Sequence, residues 1–309
     1  MTLAAAHAPP GWLPGAQRLH ASIATLLVAL ACLLAFAPPS LPIQAALFLA
    51  GVALVGMPHG SFDHIVARRR LHPVLGRLWW LAFLLTYLGL AGLVWLGWVE
   101  APQTTLVLFL VASVVHFGLG DLDAADDRTP AQIMPAILAR GALPILLPIA
   151  AHPASVAPVL AALAGGRADL AAAVVTWSDW LLLPWVLTLL YWITTASRAD
   201  RLEILTLCAA FVLLPPILAF ALYFCLCHSV RHLLRLADMM SPSCPRTAAT
   251  RTLRIGLPAI ALCILAAPLL FLHSVSNGLV PLFQLLAALT LPHMVVTLWL
   301  EDGANVVSS

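Results

Sequence analysis

Six histidines stand at or near the ends of long apolar runs. They are His59 and His64 in MPHGSFDH, His116 in VVHFGLGD, His228 and His232 in CHSVRHLL, and His293 in TLPHMVV. Ionisable side chains at membrane depth are expensive and usually functional. Spacing narrows the chemistry. At about 100° per residue, His228 and His232 lie about 40° apart on one helix face, the geometry of a chelating pair. His59 and Asp63 share that four-residue spacing, whereas His59 and His64 face about 140° apart on a regular helix. A lone membrane imidazole is also a ready helix–helix hydrogen bonder. For His64, His116 and His293 taken singly, that reading weighs as much as ligation. The other histidines, among them His20 and His152, fall in tails or loops and read as solvated.

Neutral imidazoles suit zinc, copper or iron. A zinc protease of the H-E-x-x-H kind needs a glutamate beside its ligands, and the only glutamates are Glu100, Glu203 and Glu301. Membrane di-iron desaturases and hydroxylases carry several histidine boxes, of which only the 228–232 box is present. A bis-histidine haem electron carrier stays open, as does a transporter or proton channel whose histidines shuttle protons. A mononuclear iron held by about four imidazoles fits the inventory best and leaves two positions for dioxygen beside a substrate. All 15 basic residues are arginine. A retinal Schiff base needs a lysine amine, so the chain is not itself a rhodopsin. The six cysteines form no C-x-x-C pair and read as small hydrophobes.

The elements that position these residues follow from hydropathy. The chain has 309 residues, 62% hydrophobic and 9% charged, with a mean hydropathy of +1.00. A soluble domain has no interior large enough for that apolar surface. The expected fold is all-α: one polytopic integral membrane helical bundle of about ten transmembrane helices. The spans run over 19–37, 42–60, 78–98, 104–120, 133–150, 177–196, 202–214, 217–238, 253–272 and 279–299. Residues 154–165 are too short to cross and read as re-entrant or interfacial. The first run resembles a signal peptide, but Pro38 and Pro39 disfavour cleavage, and it is expected to stay as a helix. Arginines follow the second, sixth and eighth spans, which places those loops and both termini in the cytoplasm. Spans two, four, eight and ten then all run inward, so the six motif histidines converge in the cytoplasmic half of the bundle.

The segments GMPHGSFDH, HFGLGD, CHSVRHLL and PHMVV, in this order, resemble the bacteriorhodopsin-related-protein family (Brp/Blh type) over roughly residues 45–300. These are membrane β-carotene 15,15′-dioxygenases of bacteria and archaea that make retinal. The resemblance implies a non-haem Fe(II) centre with His59, His116, His228 and His232 as ligands. His64 and His293 become reserves or pocket residues. Asp63 is expected to orient a ligand imidazole, against the alternative of an ion pair with Arg231. Asp121 reads chiefly as a helix end at the cytoplasmic water, with the same orienting role open to it. A tunnel for the polyene is expected along Phe117, Phe220, Tyr223 and Phe224, with Trp79, Trp80, Phe83 and Phe109 as further candidates. The implied partners are a lipid-soluble carotenoid, dioxygen, membrane lipids and a rhodopsin that receives the retinal, with no nucleic acid. The implied location is the bacterial inner membrane.

Overall fold

A computed structural model describes residues 12–33, 35–122, 129–276 and 279–306, and among them there are helices and no strands. In chain order they are α1 (Leu13–Leu33), α2 (Leu41–Gly51), a π-helical turn (Val52–Gly56), α3 (Met57–Gly60), α4 (Asp63–Leu75), a short 3₁₀ turn and α5 (Trp79–Glu100). There follow α6 (Pro102–Gly120), α7 (Pro130–Gly141), α8 (Leu143–Ala151), α9 (Pro153–Leu163), α10 (Ala168–Thr195) and α11 (Arg198–Leu213). The last are α12 (Pro216–Ala221), a second π-helical segment (Leu222–Ser229), α13 (Val230–Met240), α14 (Pro245–Ser276) and α15 (Val280–Val306). Proline sets many of the starts. Pro102, Pro130, Pro153, Pro216 and Pro245 each occupy the first helical position, where the missing N–H costs nothing and the fixed φ suits a helix.

Among the described residues, seven helices are long and apolar enough to cross a membrane, or eight if Ala131–Gly141 and Leu143–Ala151, bent by 43°, form one span. The polytopic helical bundle read from hydropathy is the observed architecture, and the 60-residue run Leu41–Glu100 enters that count as one helix. The expected 202–214 span is α11, whose 16 residues rise only about 24 Å, short of a hydrocarbon core of about 30 Å. The expected 42–60 and 78–98 spans lie in one helical run, Leu41–Glu100. That run is no single straight crossing. At Gly76 the backbone turns to a φ of 52°, and α4 packs back on α5. The short apolar segment expected near 154–165 is α9, Pro153–Leu163.

The two π-helical segments decide how the motifs face each other. Pro58 has no N–H for the carbonyl four residues back, and its ring crowds that position. The wider π turn just before it, closed by Met57 N–H on Val52 O, absorbs the mismatch. The second π segment carries His228. In an α-helix each step of four residues drifts about 40°; π winding opposes that drift. Phe220 and Phe224 therefore stack with rings 5.8 Å apart at 4°, and Phe224 stacks on His228 at 6.0 Å and 18°. The two π segments pack on one another. Gly56 permits this, since a Cβ there would stand 2.8 Å from the Phe224 ring.

Candidate metal centre

Five imidazoles from five helical segments meet. His59 ends α3, His116 lies in α6, His228 in the second π segment, His232 in α13 and His293 in α15. His59 lies 6.0 Å from His228, 5.5 Å from His232 and 4.9 Å from His293, ring centre to ring centre. His116 lies 4.9 Å from His228 and 5.5 Å from His293, and His232 lies 5.3 Å from His293. His59, His116, His228 and His293 are buried. His64 is not among them. It is exposed, and its Nδ1–H donates to Ser61 O at 2.7 Å.

Two carboxylates hold two of these rings. A carboxylate only accepts, so the facing Nδ1 carries the proton. His228 Nδ1–H donates to Asp121 at 3.0 Å. His293 Nδ1–H donates to both oxygens of Asp63, at 2.9 and 3.0 Å. Each carboxylate also accepts a phenol: Tyr223 OH on Asp121 at 2.8 Å and Tyr87 OH on Asp63 at 3.0 Å.

Several expectations are corrected here. Asp121 does not end in water. It is 3% exposed and pairs with Arg231 at 3.0 Å, because Arg231 must itself be neutralised inside the bundle. Arg231 is therefore not the partner of Asp63. Its other contact is Glu203 at 2.5 Å, and Glu203 continues to Arg140 at 3.7 Å, which also pairs with Asp200. Asp63 orients His293 rather than His59, its neighbour one turn back. Tyr223, expected on a tunnel wall, is turned to Asp121. His20 and His152 are half-buried, not solvated. Their Nε2–H groups donate to Leu226 O at 2.6 Å and Phe211 O at 3.0 Å.

The cluster opens on an apolar cavity of about 980 Å³, at the upper end of the roughly 300–1,000 Å³ typical of small-molecule sites. His59, His116, His293, Asp63 and Tyr87 line it, and Phe83, Phe109, Phe117, Phe220 and Phe224 form much of its wall. Trp79, Trp80 and Tyr223 stand outside its lining.

The donor set suits a metal ion. His293 Nε2 is buried with no hydrogen-bond partner among the described residues, and a buried polar atom of that kind calls for one. A metal–nitrogen bond of about 2.1 Å puts an imidazole centre about 3.2 Å from the ion, hence two ligand rings about 4.5–6.5 Å apart. The six ring separations given above, 4.9–6.0 Å, fall inside that window. Among the described residues no three His, Cys, Asp or Glu groups already close on one point, so ring rotation must complete any site.

Reasoning from sequence missed Tyr87, Glu203, Arg140 and Gly120. Tyr87, a lone phenol in the apolar run LLTYLGL, carried a weak signal. Gly120 carried none: its missing side chain leaves room for His228, whose Cε1 would be 2.6 Å from a Cβ there.

Fold and site together define a polytopic helical membrane protein in which a buried imidazole cluster faces an apolar cavity. The chain belongs to the β-carotene 15,15′-dioxygenase family, whose model matches residues 50–301. Among its relatives, the probable β-carotene 15,15′-dioxygenase Blh of Halobacterium salinarum is 29% identical over 300 residues, covering 84% of this chain and 85% of that protein. The β-carotene 15,15′-dioxygenase of an uncultured marine bacterium is 28% identical over 269 residues, covering 80% of this chain and 90% of that protein. No solved structure matches.

Proposed function

We propose that this chain cleaves the central 15,15′ double bond of β-carotene with dioxygen to give two molecules of retinal, at a mononuclear non-haem iron held by His59, His116, His228 and His232. The observation that carries the reading is the imidazole cluster at the wall of an apolar cavity of about 980 Å³, inside a chain of this family. One C=C bond is replaced by two C=O bonds, and two oxygen atoms are taken up. Iron, when bound, supplies the redox chemistry toward dioxygen. The protein supplies the rest. The phenylalanines hold a rigid hydrocarbon by apolar contact and exclude water. The Phe220–Phe224–His228 column sets an aromatic edge beside the cluster. Asp121 keeps the proton of His228 on Nδ1, which leaves Nε2 free to ligate.

The substrate enters from the bilayer, and the retinal leaves for an acceptor such as a rhodopsin, since this chain has no lysine to retain it. The arginine-bearing stretches favour the cytoplasmic face; both termini share that face only if α11 crosses despite its length, and a reporter fused after Ser309 that proves periplasmic would sink that topology. The activity is tested by expression in a β-carotene-producing bacterium, where orange colour should fade as retinal appears. Retained colour with abundant, folded protein refutes the reading. Iron content tests the site: His59→Ala, His228→Ala and His232→Ala should each lose iron, while His64→Ala keeps most of it.

A further inference from the structure

Asp63 sits at a junction of three elements. It opens α4, Tyr87 reaches it from α5 and His293 from α15. With its proton directed at Asp63, His293 turns the Nε2 lone pair inward. That nitrogen is buried and has no hydrogen-bond partner among the described residues. Its ring faces those of His59, His116 and His232 at 4.9, 5.5 and 5.3 Å.

A second observation is independent of this geometry. Asp63 is 3% exposed, and among the described residues His293 and Tyr87 are its only polar side-chain partners. The equally buried Asp121 has Arg231. A buried carboxylate without a cation is costly. One imidazole away from a bound metal cation, it gains the missing counter-charge.

We propose that His293 is a fifth imidazole ligand of the iron, oriented by Asp63 and Tyr87, and that Asp63 is the counter-charge of the ion. This rests on the four-histidine reading above. The Tyr87–Asp63–His293 chain is then a ligand and its support, not a reserve at the pocket wall.

The test uses full-length protein in detergent, loaded anaerobically with Fe(II), or with Co(II) as a spectroscopic probe. His293→Ala should lower iron affinity by more than the ~100-fold that bounds the loss of an outer partner. It should also shift the Co(II) ligand-field bands, and added imidazole should restore both. Asp63→Asn should cost ~10–100-fold in affinity, and Tyr87→Phe less. Unchanged affinity and bands in His293→Ala, with His232→Ala still losing iron, overturn the proposal and spare the four-histidine site. A loss of only ~10–100-fold with unchanged bands makes His293 a positioning residue and also overturns it. Wild-type iron binding in both variants sinks the underlying site and this inference together. If His293→Ala does not accumulate, His293→Gln takes its place. X-ray absorption of the wild-type iron protein then counts the imidazoles: five supports the proposal and four overturns it.

Discussion

Asp63 and Asp121 are built alike up to their third partner. Each is 3% exposed, accepts one phenol and one imidazole Nδ1–H, and stands beside the same cluster. Two of the chain's three tyrosines serve these two carboxylates. The difference is Arg231, which pairs with Asp121 and ties it through Glu203 to Arg140 and Asp200. The Asp121 side is thus neutralised by the protein itself and is expected to be as well formed without metal as with it. The Asp63 side lacks such a cation among the described residues and should become electrostatically complete only with an ion in the cluster. One site therefore contains a wall set by folding and a wall set by metal binding.

The largest effect should come from breaking the protein's own cation. Arg231→Met leaves Asp121 and Glu203 as buried carboxylates without their shared partner, and losing one member of a buried pair costs about 3–5 kcal/mol. Thermal unfolding in detergent should show a large drop in the metal-free protein. An unchanged midpoint would mean that the network does not hold the fold.

Next comes the direct contrast of the two carboxylates in metal-free protein. Asp121→Asn removes the charge facing Arg231 and should cost about 1–3 kcal/mol. Asp63→Asn removes a buried charge with no cation beside it among the described residues and should leave the metal-free protein at least as stable as wild type. Equal destabilisation by both variants would erase the asymmetry.

Gly120→Ala sharpens the Asp121 side sterically. The new Cβ would meet His228 Cε1 at 2.6 Å, and overpacking of this kind costs about 1–3 kcal/mol while displacing the ring from Asp121. Gly60→Ala, which meets nothing within 4 Å, is the control. Matching iron content and stability in the two variants would show that His228 has slack.

The smallest effects are those of the phenols. Tyr223→Phe and Tyr87→Phe each remove one hydrogen bond, worth about 1 kcal/mol. In metal-free protein Tyr223→Phe should cost stability, because the rest of the Asp121 network is already in place. Tyr87→Phe should register mainly in iron affinity. The reverse pattern, measured by the same unfolding and titration, would exchange the roles assigned to the two walls.

Much of this protein is written locally in its chain. Hydropathy marked most of the membrane helices, and proline marked many of their starts, because apolar length and a missing N–H act on the residues that carry them. The motif histidines announced themselves as costly groups at membrane depth. His59, His116, His228 and His232 lie in one cluster, whereas His64, on α4, stands outside that cluster and lines the cavity. What the tertiary structure decided was pairing. Nothing in the spacing of Asp63 joins it to His293, 230 residues away, or to Tyr87. Nothing in DLD shows that Asp121 is covered by Arg231 rather than by water. The π winding that stacks Phe224 on His228 is a backbone hydrogen-bond register, and packing against neighbouring helices selects it. Burial cost can be estimated one residue at a time; the partner that offsets it depends on which helix lies alongside.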